Sequence, residues 1–438
     1  MVTNTRIPTG YKQMDVGVIP EDWEEHTFGD LIDYTKGFAF KSASYRDNGV
    51  RIIRVSDTSF DSISDDEAVY ISEAEAKQYE KWKLVEADLV FSTVGSKPPM
   101  YDSLVGRATY ISRDYSGSLL NQNAVRIRYK SKSLHKQIFL LNNFRTQRYI
   151  NFIEQIYRGN ANQASITLKD LFDYKLAIPK KEIELQNIAQ VLLDIDEFIT
   201  KLGDPIEKKR NIKRGTMQEL LTGKRRLSGF RGKWERKTLG KLGDITGSGV
   251  DKKIRPDEVP VRLVNFLDVF HKNFIYSKDL HHQVTARPDQ LLRCSVKKGD
   301  IFFTPSSEMP FDIGISAIAM EDIPGAVHSY HVDRLRLFED WDLLFRAYIF
   351  QTKDFSNQTA TQCEGSGKRY VLNLTTFRER LTVYYPTDNK EQTAIAKILF
   401  DMDTEIEKLE SQLTKYQNIK QGMMQQLLTG RIRIYANN

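Results

Sequence analysis

From about Lys390 to Leu428 the chain places apolar residues at Ile395, Leu399, Met402, Ile406, Leu409, Leu413, Tyr416, Met423 and Leu427, in alternating steps of four and three. Lys420 interrupts the series, with Ile419 beside it. This is the heptad pattern of one long helix, and its single narrow apolar seam is buried only against a partner helix. The sequence supplies that partner 207 positions earlier, at Ile188, Leu192, Ile195, Ile199, Leu202, Ile206 and Leu220, with no insertion between Glu184 and Leu227. The ends repeat too: Met217-Gln218-Glu219-Leu220-Leu221-Thr222-Gly223 returns as Met424-Gln425-Gln426-Leu427-Leu428-Thr429-Gly430. A gapless match of this length implies an internal duplication.

The duplication extends ahead of the helices. Pro20 and Trp23 precede Phe28-Gly29-Asp30-Leu31, and Trp234 precedes Leu239-Gly240-Lys241-Leu242, an offset of 211 between the tryptophans. Val50 to Asp57 alternates like a half-buried strand, and Val261 to Asp268 repeats it at that offset. Asp88 to Thr93 matches Asp300 to Pro305, and Ala124 to Arg128 matches Val332 to Arg336. The segments that follow the first of these pairs do not match: Ser96 to Tyr101 in one half, Ser306 to Phe311 in the other. Each half then has a helical stretch, near Ile138 to Phe152 and Leu343 to Phe355, and a Gly-bearing loop, Tyr157 to Gln163 and Glu364 to Tyr370. Each closes on a proline, Pro179 and Pro386, after which the long helices begin.

The expected plan is a polar lead (1–20), a first α/β domain (21–179), a first helix (180–222), a Gly-rich basic linker (223–233), a second domain (234–386), and a second helix with its tail (387–438). Where the second helix reads Glu410-Ser411-Gln412, the first reads Gly203-Asp204-Pro205. Proline removes a helical hydrogen bond, so a bend is expected there in preference to an extended loop.

Two cysteines, Cys294 and Cys363, are too few for a disulfide framework or a cysteine-based zinc site. No eighteen-residue apolar run and no signal-peptide core are present, so a cytoplasmic protein with no membrane partner is expected. A formal charge of +6 favours a polyanionic partner. Catalytic spacing is not found: there is no phosphate loop and no nucleophile elbow. Lys97-Pro98-Pro99-Met100 differs from the Asp/Asn-Pro-Pro-aromatic motif of amino-methyltransferases at both positions that hold the target amine. Asp194 with Asp196, and Asp401 with Asp403, diverge in direction on a helix and suit surface salt bridges better than a metal. No catalytic residue, metal or cofactor is therefore expected. The polar loops suit a DNA groove, since Asn, Gln and Arg bond base edges while Lys, Ser and Thr fix phosphates.

Taken together, the Pro-x-x-Trp entry, the two unlike domains on matching strands and the two helices ending in Met-Gln-(Glu/Gln)-Leu-Leu-Thr-Gly resemble the specificity subunit of a type I restriction-modification system, over nearly the whole chain. The resemblance implies an α/β (α+β) fold with a pseudo-twofold repeat: two target-recognition domains separated by two long antiparallel conserved helices packed as a coiled coil. It implies double-stranded DNA as a partner, each domain reading half of a bipartite site. It further implies helices that set the spacing and dock two DNA methyltransferase (modification) subunits, with restriction subunits joining through the assembled complex and catalysis residing in those subunits. The competing readings are a coiled-coil adaptor that reads no DNA and an amino-methyltransferase. Candidate DNA contacts in the first domain are Lys36, Lys41, Ser92, Lys97, Gln122, Asn123, Arg158, Asn160, Asn162 and Gln163. Those in the second are Lys252, Lys253, Thr304, Ser306, His331, Lys368, Arg369 and Tyr370.

Overall fold

The computed structural model describes residues 7–59, 62–97, 100, 103–160 and 163–434, with the backbone alone at Asn160 and Gln163. The chain forms two units, 1–202 with 412–438, and 203–411. The division falls within both long helices, Glu182–Leu220 and Asn389–Leu427. Each unit therefore takes the first part of one helix and the last part of the other.

In the first unit the main sheet runs in the order Ile32–Lys36, Ala124–Tyr129, Leu89–Ser92, Ala108–Tyr110, antiparallel throughout. A second sheet joins Leu119–Leu120, Val50–Ile53 and Val69–Ile71. The expected strand from Val50 to Asp57 stops at Ile53, because the Asp57 carboxylate accepts the Arg54 N–H at 3.0 Å and turns the chain into a short 3-10 helix. Tyr11–Met14 and Gly17–Pro20 form a hairpin that adds Ile19 to the unit's core, so residues 11–20 of the polar lead are part of the folded unit.

The second unit repeats the plan with one more strand, in the order Gly243–Thr246, Asp333–Leu337, Ile301–Phe303, Ser316–Ala319, Phe274–Ile275. Its second sheet holds Gln283–Ala286, Val259–Val264 and Ala326–His328. Here too the strand ends early: Asp268 accepts the Asn265 N–H at 2.9 Å and a helix, Phe266–Phe270, follows.

Each unit is closed by the same lock. In the first, the buried Trp23 indole donates to Glu184 at 3.3 Å, and Arg433 holds Glu184 and Asp22 at 2.8 and 2.7 Å. In the second, Trp234 donates to Glu391 at 3.3 Å and Arg226 grips both its oxygens at 2.8 and 2.6 Å. Both glutamates are 0% exposed, and a buried carboxylate needs that paired arginine to remain charged. Arg226 and Arg433 each lie three residues beyond the repeated Leu-Leu-Thr-Gly, which places the same cation at each helix end.

The seam of the second helix keeps the expected register, including its break at Lys420. Lys420 occupies the seam and Ile419 stands outside it at 39% exposure, while Met423 is half-buried against the core and Met424 beside it is buried. Lys420 bonds Asp196 at 2.5 Å across the helix pair of the first unit. Its counterpart Lys213 bonds Asp403 in the second unit, where Asp403 also accepts the Tyr348 hydroxyl at 2.8 Å. These repeated polar pairs fix helix register at a cost in apolar burial. They use one aspartate of each sequence pair, whereas Asp194 accepts from Gln190 and Asp401 pairs with Lys397 on its own helix. The first helix continues without interruption through Pro205.

Candidate nucleic-acid interface

The Gly-bearing loops of the sequence are hairpins. In the first unit Arg158–Asn160 pairs with Gln163–Ser165, and the second strand pairs in turn with Val94–Gly95. In the second unit Glu364–Ser366 pairs with Arg369–Val371, which pairs with Ser306–Ser307. Gly365 is required in its hairpin: its φ is +142°, and a Cβ there would lie 2.2 Å from the Arg369 carbonyl oxygen. In both units a small three-stranded sheet thus joins two segments that are distant in sequence and unlike between the halves.

Backbone hydrogen bonds extend this sheet into one continuous rim. In the first unit the Gln122 N–H donates to Phe38 O at 2.9 Å and the Thr93 N–H to Asn123 O at 3.0 Å, and Ile166 N–H to Thr93 O at 3.1 Å. Asn123 takes the left-handed conformation, φ 63°, which asparagine tolerates better than most residues. The segment from Lys36 to Lys41 is held at its base by Phe38 and Phe40 packed on Tyr79 and Trp82. Lys36, Lys41, Gln122, Asn123 and Arg158 are exposed along this rim and Lys97 is half-buried. Arg158 is tied to Asp170 at 3.0 Å. Asn162 lies outside the described residues, as do Pro98 and Pro99 of the segment after Lys97, and the side chains of Asn160 and Gln163 are likewise not described.

In the second unit the loop bearing Lys252 and Lys253 is anchored at Val250, whose N–H donates to His328 O at 2.9 Å and whose carbonyl accepts the Tyr330 N–H at 3.0 Å. His328 itself is interior. Burial pushes its imidazole down to about 4, so it is neutral, with Nδ1 3.0 Å from the Val332 carbonyl oxygen. His331 lies within the electrostatic reach of Arg369 and Lys252, and burial together with these two charges lowers its pKa. A neutral His331 offers a ring donor and acceptor rather than a cation. Its ring lies 3.8 Å from that of Tyr330, centroid to centroid, tilted by 38°. Lys252, Lys253, Lys368 and Arg369 are exposed; Ser306, His331 and Tyr370 are half-buried.

Two expected contacts do not reach the surface. Ser92 is 2% exposed and its hydroxyl donates to Val94 O. Thr304 is 0% exposed, donating to Asp312 O at 2.9 Å and accepting from Ile315 N–H at 3.1 Å. Both stand at the end of a central strand, where the hydroxyl turns the chain toward the rim. They shape it from within. Conversely, sequence reasoning passed over Tyr330, Met309 and Phe311, all exposed on the second rim. Met309 and Phe311 flank a proline in a segment already marked as unlike its counterpart, which was the available signal.

Among the described residues no three His, Cys, Asp or Glu side chains gather where they could hold a metal ion. No helix among them is long and apolar enough to cross a membrane.

Residues 20–211 match the family described as type I restriction modification DNA specificity domain. A putative type I restriction enzyme MjaX specificity subunit of Methanocaldococcus jannaschii is 25% identical over 217 residues, 48% of this chain and 48% of that protein. The type I restriction enzyme MjaVIII specificity subunit of the same organism is 26% identical over 218 residues, 50% of this chain and 49% of that one. The chain thus spans about half the length of the curated relatives it matches. The S subunit of a type I restriction-modification system from M. genitalium shares the fold, with a TM-score of 0.55 and 14% identity over 92% of this chain and 96% of that chain.

Proposed function

We propose that this chain, whose residues 20–211 match the type I restriction modification DNA specificity domain, is the DNA-reading subunit of such a system. One observation carries the reading: two copies of one scaffold present unlike side chains on an equivalent rim. Each rim pairs a strand leaving the main sheet with a hairpin distant in sequence. A scaffold repeated with only its rim rewritten suits two different half-sites.

In this reading exposed Lys36, Lys41, Lys252, Lys253 and Lys368 contact phosphates and set affinity. Gln122, Asn123, Asn160, Asn162, Gln163, His331 and the two arginines supply base-edge donors and acceptors. The long helices, 39 residues each, set the gap between half-sites. Two modification subunits dock on them and perform methyl transfer with S-adenosylmethionine, and restriction subunits join the assembled complex in the cytoplasm. The chain itself is not catalytic.

The test is selection of bound duplexes from a random DNA pool by this chain co-expressed with its candidate modification subunit, at moderate salt so that phosphate contacts alone do not retain DNA. A split motif with a fixed gap is expected. Recovery of no motif by a well-formed complex would overturn the reading in favour of an adaptor.

A further inference from the structure

The most open side chains on the second unit's rim include two that are apolar. Met309 is 60% exposed and Phe311 is 63% exposed, on either side of Pro310. The turn that carries them is firmly held. The Met309 N–H donates to Ser307 Oγ at 3.3 Å, the Asp312 N–H returns to Met309 O at 3.1 Å, and the buried Thr304 hydroxyl clamps Asp312 O at 2.9 Å. Behind it Gly314, at φ +82°, lets the chain press against helix Lys353–Gln362, where a Cβ would lie 2.5 Å from the Thr359 methyl. Two large apolar groups are thus fixed in water by a braced turn, an arrangement that marks a binding surface.

The surroundings identify the occupant. Ser307 is paired with Tyr370, next to Arg369, which lies near His331 and Lys252. Glu308 is exposed in the turn and Asp312 half-buried, against those cations. A cationic rim with hydrogen-bonding groups suits duplex DNA. On the major-groove edge of DNA the apolar group is the 5-methyl of thymine.

We propose that Met309 and Phe311 read thymine methyl groups in the half-site held by the second unit. The inference rests on the DNA-reading function proposed above. Insertion of an apolar wedge between base steps is the other use of such side chains on DNA. A wedge unstacks the bases beside it, which contact with a methyl does not, so the two uses give different signals in the test below.

The test uses the full chain in complex with its modification subunit and the half-sites recovered by selection. Each thymine of the second half-site is replaced in turn by deoxyuridine, which removes the methyl and keeps every hydrogen-bonding group. Binding is expected to weaken about four-fold at one or two positions, the contribution of one buried methyl. The variant M309A/F311A, whose exposed side chains leave melting unchanged, is expected to bind thymine and deoxyuridine duplexes alike. A defined half-site with no deoxyuridine effect overturns the inference and leaves the DNA-reading function standing. A deoxyuridine effect that persists in the double variant assigns the methyl to other residues and also overturns it. Enhanced 2-aminopurine fluorescence without a deoxyuridine effect does the same in favour of a wedge. Recovery of no half-site at all overturns the underlying function instead.

Discussion

Across the main sheet of the first unit Val125, Phe91 and Ala108 stand in one row, while the second unit has Asp333, Phe303 and Ser316 in the same places. Residues directly opposite on paired strands share a face, so both rows point into the core around their phenylalanine. The first row is wholly apolar. In the second, Asp333 is 6% exposed, and the Ser316 hydroxyl has no partner among the described residues. Burial alone pushes the Asp333 carboxyl up to about 7. Gly247 lies over it, where any Cβ would come within 2.9 Å of the carboxylate. At this row one scaffold therefore tolerates an acid in one copy and an apolar residue in the other. What the two copies share without change is the Trp-Glu-Arg lock and a buried aspartate gripped by an arginine, Asp88 by Arg128 and Asp300 by Arg336. Polar pairs that close the scaffold repeat; polar groups beside the rim vary.

The locks give the largest expected effects. Glu391→Ala strands the Trp234 indole and leaves Arg226 only the Gly232 carbonyl, a loss of about 3–5 kcal/mol in urea unfolding. Glu184→Ala should cost less, because Arg433 retains Asp22. Equal losses would mean that the two locks are not distinguished by Asp22.

The Asp333 contrast makes a prediction about pH. The folded state holds this proton more tightly than the unfolded chain, whose aspartate titrates near 3.9. The contribution of the neutral acid is full below about pH 4 and is lost as pH rises through about 7. Asp333→Val, which installs the first unit's residue, should remove that decline and raise stability at pH 8 by up to about 4 kcal/mol. Unfolding measured from pH 5 to 8 checks it; parallel curves for the two proteins would place a partner on the carboxylate.

A smaller effect concerns the rims. Arg158 is already paired with Asp170, while no ion pair to Arg369 is found among the described residues. Arg369→Ala should weaken DNA binding by about 1–3 kcal/mol, focused at one base pair if it reads an edge and uniform if it holds a phosphate. Arg158→Ala should cost less, since Asp170 competes with DNA for it. The reverse order would show that the Asp170 pair orients Arg158 for DNA.

The duplication, the two long helices and the α/β character of both domains were legible because periodicity and repetition are local properties of the chain. Strand ends were less so: Asp57 and Asp268 continue the alternation in sequence yet turn the backbone by accepting an N–H three residues earlier. The break at Lys420 is visible in sequence, but its compensation is not, since a lysine at a seam position is acceptable only when Asp196 faces it, and that partner lies on the other helix. Ser92 and Thr304 have the chemistry of a contact in sequence, a hydroxyl near a rim; burial, which sequence does not display, assigns them to the interior.

The sequence by itself determined which segments form the helices, which halves correspond and which loops differ, all of which follow from spacing along one chain. Only the tertiary structure decided that the segment after the central strand and the distant hairpin share one sheet, so that unlike loops become one rim in each unit. It also decided that Glu184 and Glu391 are buried beneath an arginine from the far end of the other helix. Pairing between strands and burial of charge depend on partners remote in sequence, and their energies arise only when the chain brings those partners together.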